Sequence, residues 1–196
     1  MYLIFDVSPI AKAINYKASF TDVNAWPRLA HISWIVLGED LKPIEDFDSV
    51  VVDDRINYDG DLKKNLHLDD DDIKRKGAPL EEILKTFNTS CSKVQYVFSH
   101  NLNYNQNILA AEYLRQMISL ELFKVDRYCL MQEGTHYAKL PARGGGYKWP
   151  SLPELHAACF KTAYAPVNNA RADVIAATRC FIKLMKTGTL EDIFED

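Results

Sequence analysis

The sequence has no apolar run close to the ~20 residues that a membrane-spanning helix needs, which excludes a helical membrane protein. It also has no surplus of positive charge. Among 196 residues, 23 Lys and Arg stand against 27 Asp and Glu, a formal net charge of −4. Proteins that grip nucleic acid along their whole surface hold phosphate with excess Lys and Arg. The balance therefore argues against a generally basic binder, while leaving room for a local basic groove. Cysteine is sparse and scattered: Cys91, Cys129, Cys159 and Cys180 form no C-x-x-C pair, so a zinc site is not expected. Reduced, buried thiols in a cytoplasmic chain, bacterial or virus-encoded, are expected instead. Met1 to Phe5 reaches Asp6 with no basic leader and no small-residue cleavage site, so no targeting segment is expected. Gly144 to Gly146 lack the following Lys-Ser/Thr of a phosphate-binding loop. No repeat, low-complexity tract or linker interrupts the chain, and residues 1–196 read as one domain.

What is present is an alternation of strands and amphipathic helices. Tyr2 to Asp6 is an apolar strand ended by an acid. His31 to Leu37 is rich in β-branched and aromatic residues, and a third strand falls within Ile44 to Val52. Short turns between them predict an antiparallel meander. Ala11 to Arg28 has no clear period and reads as an irregular excursion. Asp69 to Asp72 is a block of four acids, open to a metal reading or to a helix start. The helix start is preferred, because acids suit the positive end of the helix dipole. Leu80, Ile83, Leu84 and Phe87 recur at helical spacing, Val94 to Phe98 is a fourth strand, and Asn103 to Ile118 is a helix. Lys124 to Leu130 holds a short fifth strand. Ser151 and Glu154 make a capping-box pattern for a helix to Phe160, and a long helix runs from Ala170 to Lys186.

Three stretches carry a resemblance. The first strand ends Ile4, Phe5, Asp6, Val7, Ser8. A second stretch is His100, Asn101, Leu102, Asn103, Tyr104, Asn105, leading into an apolar helix. A third is Asn168, Asn169, Ala170, Arg171, Ala172, Asp173. In this order they resemble the DnaQ-like 3′–5′ exonucleases, the polymerase-proofreading family with the acidic DEDDh pattern. Asn15 to Arg28 and Gly146 to His156 are similar to one branch of that family. The resemblance implies an α/β, ribonuclease-H-like fold: a mixed five-stranded sheet flanked by helices, its first three strands the meander.

It also implies a chemistry. Such enzymes hydrolyse phosphodiesters with two Mg²⁺ or Mn²⁺ ions held by four carboxylates, and a histidine takes the proton of the attacking water. Asp6 and Asp173 match two of the acids. The glutamate position is Ser8, the third acid is Asn105, and the histidine is Asn168. The site charge falls from −4 to −2, enough for one weakly held ion at most, at Asp6 and Asp173. No cofactor is expected. Loss of a general base alone costs ~10²–10⁴-fold in rate. Val7, Pro9 and Ile10 also depart from the family's usual turn after the first acid. Asp22, His100, His136 and His156 are the neighbours available to stand in.

The residues support three readings. In the first, the chain is a catalytically inactive exonuclease-like protein kept as a protein-interaction or structural module, for another protein or for copies of itself. In the second it is a remnant that binds single-stranded nucleic acid without turnover, through Tyr16, Lys17, Arg28, Tyr147, Lys148 and Trp149, with Arg143 and Arg171. In the third it is an active metal-dependent exonuclease with a rewired site.

Overall fold

A computed structural model describes residues 1–162, 164, 165 and 168–194. A six-stranded sheet has the order β4-β3-β2-β1-β5-β6. Strands β1 (Tyr2–Pro9), β2 (Leu29–Leu37) and β3 (Pro43–Val52) form the expected antiparallel meander. β5 (Tyr96–Ser99) and β6 (Asp126–Cys129) continue it in parallel beyond β1. The expected count was five. The sixth strand, β4 (Gly77–Pro79), is only three residues long and pairs with Val50 to Val52. A strand that short, holding both Gly and Pro, leaves no alternating pattern to read. Gly77 is needed there for close approach, since a Cβ would lie 2.3 Å from the carbonyl oxygen of Ile73.

Helices cover both faces of the sheet. Along β1, successive side chains point to opposite sides. Leu3, Phe5 and Val7 pack into one core with α3 (Leu80–Cys91) and α4 (Leu102–Gln116). Ile4 packs into the other with α7 (Leu152–Phe160) and α8 (Ala170–Lys186). Every residue of β2 is buried, as expected of a strand covered on both faces. Asp6 shares the face of Ile4, so it points towards α8.

Two short helices lie between β3 and β4. α1 (Gly60–Leu66) is capped by the Asp59 side chain, which accepts from the Leu62 N–H at 2.8 Å. α2 (Asp70–Lys76) starts with a reciprocal Asp69–Asp72 capping box. The acid block is thus a helix start, and its charges pair with Lys63, Arg75 and Lys76. Two single turns, α5 (Leu130–Glu133) and α6 (Thr135–Ala138), precede α7. Ser151 and Glu154 form the expected capping box. Among the described residues no helix is long and apolar enough to cross a membrane, and all four cysteines are free and buried.

One buried acid ties the irregular excursion to this frame. Glu112 of α4 is fully buried, and its Oε1 accepts from Arg28 Nε at 2.7 Å and from the Leu29 N–H at 2.8 Å. Arg115 Nη1 lies 3.1 Å from the same oxygen, while its Nη2 donates to the Trp26 carbonyl at 2.6 Å and to that of Val23. Removing one member of a buried ionic network strands the others. Glu112→Ala is therefore expected to cost about 3–5 kcal/mol in urea unfolding, and to raise the proteolysis rate within residues 11–28 before that of the sheet.

Candidate functional site

Four of the five positions picked out by the family motifs meet at one place. Asp6 at the end of β1, Asn105 in the first turns of α4, Asn168 and Asp173 line a single cavity of about 230 Å³, with Val7, His100, Asn101, Tyr104, Leu152 and Pro153. The fifth, Ser8, is 1% exposed and is not among the lining residues. It stands opposite His31 in the β1–β2 register, on the side of the sheet where His31 bonds to Asp48.

Asn105 is buried, and its amide nitrogen does three things. It donates to Asp6 Oδ1 at 2.5 Å, to Ser99 Oγ at 2.8 Å and to the His100 carbonyl at 3.2 Å. The residue thus meets Asp6 as a hydrogen-bond donor. A carboxylate in its place would require a cation between the two. Asp173 is answered in the same way: the Tyr164 hydroxyl donates to its Oδ1 at 2.5 Å. Asn169 caps α8 by accepting from Arg171 and Ala172 N–H groups, which leaves Asn168 facing the cavity.

Burial, then the Asp173 charge, pushes the Asp6 carboxyl well above the ordinary carboxylate range, against the opposing Asn105 bond. Burial raises Asp173 to about 6 despite Tyr164. Neither acid has an ion pair among the described residues, and no group of three or more His, Cys, Asp or Glu stands together there. Two carboxylates, one of them bonded to an amide N–H, do not fit a pair of divalent ions.

Of the neighbours considered as substitute bases, only His100 lines the cavity. Burial pushes its imidazole down to about 4, and a hydrogen bond to the Pro150 backbone does not offset this. Asp22 begins a 3-10 turn (Val23–Ala25), His136 is exposed and edge-on to Tyr147, and His156 is buried beside Phe160 and Tyr164.

The expected groove residues divide. Tyr16 is 54% exposed, stacks on Tyr104 at 5.6 Å, and lines a second cavity of about 510 Å³ with Lys12, Asn65, Asn101 and Asn168. Trp149 is 57% exposed and lines a third with Asn101, Gln106 and Met131. Asn101 borders all three cavities, in the left-handed conformation that Asn tolerates. Arg28 leaves the groove set, because Glu112 and Asp53 hold its guanidinium. Lys148 is paired with Glu154 and Arg171 with Asp46. Lys17, Arg143 and Tyr147 are exposed. Lys12, Asn65 and Tyr164 were not anticipated, since nothing in their local sequence separates them from ordinary surface residues.

This architecture is the ribonuclease-H-like fold of the DnaQ-like exonucleases. Among solved structures, the chain is similar to E. coli Exonuclease I in complex with a dT13 oligonucleotide, at 15% identity and a TM-score of 0.68, over 99% of this chain and 42% of that one. It is similar to the 3′-exonuclease of a histone mRNA stem-loop complex, at 11% identity and a TM-score of 0.69, over 96% and 82% of the two chains. Exonuclease I from Methylocaldum szegediense matches at 13% identity and a TM-score of 0.60, over 98% and 42%. The chain therefore spans about two fifths of the length of these Exonuclease I proteins. No protein-family model and no curated protein matches it.

The raised carboxyls give a signed prediction. A folded value above the unfolded one penalises the ionised form, so the missing stability returns as pH falls from about 6 towards 4. Asp173→Asn is expected to raise unfolding stability by roughly 1–2 kcal/mol at pH 8 and to change it little at pH 4. Urea midpoints at the two pH values check this.

Proposed function

We propose that this chain is an exonuclease-fold protein that does not hydrolyse phosphodiesters and acts by binding, as an interaction or structural module for a protein partner or for copies of itself. The single observation that carries the reading is the Asn105 N–H donated to Asp6. Two-metal hydrolysis needs cations that bring the attacking and leaving oxygens together. Here the space between the first and third acid positions is closed by a hydrogen bond. Ser8 is buried outside the cavity, so it cannot replace the missing glutamate, and Asn168 cannot serve as a base. These residues do not fit the metals that the fold's enzymes use, and no hydrolytic step is derived through them.

A second reading, single-stranded nucleic acid held without turnover, is favoured by one feature. Tyr16 and Trp149 are exposed aromatic rings bordering adjoining cavities, suited to stacking bases. The pairing of Arg28, Lys148 and Arg171 within the chain weighs against it. The net charge of −4 weighs the same way.

The test is a nuclease and metal-binding comparison. Incubated with a labelled single-stranded oligonucleotide and Mn²⁺, the natural chain is expected to leave it intact. Calorimetry is expected to register at most one weak Mn²⁺ site, lost in Asp6→Ala. A variant carrying Asn105→Asp and Asn168→His, with and without Ser8→Glu, is expected to bind Mn²⁺ more tightly. Mn²⁺-dependent shortening by the natural chain, abolished by Asp6→Ala, would sink the proposal.

A further inference from the structure

A different cavity carries a chemistry that neither the fold nor the Asp6 site explains. It has a volume of about 460 Å³ and is lined by Phe20, Gln106, Asn107, Phe123 and Arg127. It lies where the excursion after β1, the middle of α4 and the start of β6 meet. Gln106 also borders the cavity of Trp149, so the two adjoin.

Arg127 is the unusual residue. The other part-buried arginines each have a carboxylate: Arg28 has Glu112 and Asp53, Arg115 has Glu112, and Arg171 has Asp46. Arg127 is part-buried and has no ion pair among the described residues. Its guanidinium lies over the Phe123 ring at 4.6 Å, and its Nη1 donates to Gln106 Oε1 at a long 3.4 Å. Desolvation lowers its proton affinity, and the charge of the adjacent Asp126 does not make up the difference. A guanidinium held this way spreads its face on a ring and keeps N–H donors in its plane for a planar anion. A part-buried cation without a counter-charge is costly, and an anionic ligand removes the cost.

The remaining lining supplies the rest of a ligand. Phe20 and Phe123 stand 5.1 Å apart with tilted rings, an aromatic wall beside the cation. Gln106 spends its oxygen on Arg127 and Asn107 its nitrogen on Asn103, leaving one amide donor and one amide acceptor. The site is a shallow, open depression that leaves one edge of a bound ring in solvent. Lys124, the next cation along the chain, is paired with Glu121, and Asp126 is exposed nearby. One free positive charge among these acids suits a single anion and disfavours a polyanionic strand.

We propose that this depression binds a small aromatic anion, a phosphate or carboxylate borne by an aromatic group directly or through a sugar, with the anion on Arg127 and the aromatic ring against Phe20 and Phe123. The proposal stands apart from the reading of the Asp6 site, and hydrolytic competence does not enter its test.

The experiment is calorimetric titration of the full chain at low ionic strength with AMP, phenyl phosphate and benzoate, against adenosine and inorganic phosphate as controls. At least one of the first three is expected to bind about tenfold or more tighter than either control. Arg127→Gln is expected to lower that affinity by about tenfold or more with an unchanged thermal midpoint, and Phe20→Ala to abolish the advantage over inorganic phosphate. In the natural chain, the Arg127 Nε–H NMR signal is expected to shift on titration, which frees the test from the folding of any variant. A preference for AMP assigns a nucleotide and a preference for phenyl phosphate or benzoate a simpler aryl anion; both support the site. No saturable binding below about 10 mM, equal affinity in Arg127→Gln, or binding lost in Trp149→Ala but kept in Arg127→Gln would overturn it.

Discussion

Two carboxylates of like charge share one small cavity at the end of the central strand, and the polar groups around them respond to that repulsion. Burial favours protons on Asp6 and Asp173, and the Asp173 charge adds to the effect at Asp6. The protein relieves the strain with hydrogen bonds from Asn105 and Tyr164. Four carboxylates converging here would be unstable without cations, because each ionised neighbour raises the cost of the next. With an amide at the third position and a buried serine at the second, two charges fewer need offsetting. The same substitutions lower the electrostatic demand for cations, and the surrounding fold need not alter.

That separation is built into α4. Its first turns carry Tyr104 and Asn105, which face the cavity, and its last turns carry Glu112 and Arg115, which hold the excursion of residues 11–28. The first end decides what can happen at the site. The second decides whether Tyr16 is delivered to Tyr104 at all, since the segment has little regular structure of its own. The two ends meet through Tyr104, which lines the cavity and packs against Tyr16 and Trp26 of the segment that Glu112 and Arg115 hold.

The meander and the long helices were legible in the sequence because their patterns are long: β2 is rich in β-branched and aromatic residues, and α3 and α8 repeat at helical spacing. The acid block from Asp69 was legible as a helix start for the same local reason. The three-residue β4 and the single turns α5 and α6 were not, since their stability comes from neighbours rather than from their own residues. At the site, the resemblance of three stretches to the family motifs implied that Asp6, Asn105 and Asp173 would meet. It did not anticipate that Ser8, two residues from Asp6 on the same face, would lie outside the cavity. Nor could it show that Tyr164 would reach Asp173, because that bond depends on how the chain enters α8.

Charge is the property that local sequence conveys least well. Counting Lys and Arg near the motifs suggested a basic groove, yet Arg28, Lys148 and Arg171 each spend their charge on an acid of this chain. Pairing of this kind leaves little long-range field to draw in a polyanion. Among the described part-buried arginines, the one without a carboxylate, Arg127, lies away from the motifs, over a phenyl ring and beside two amides. A binding function is therefore better sought where a cation lacks its partner than where cations are numerous. In a partly desolvated position, the missing partner is worth more than a paired charge at the surface, because the cation has already lost part of its water.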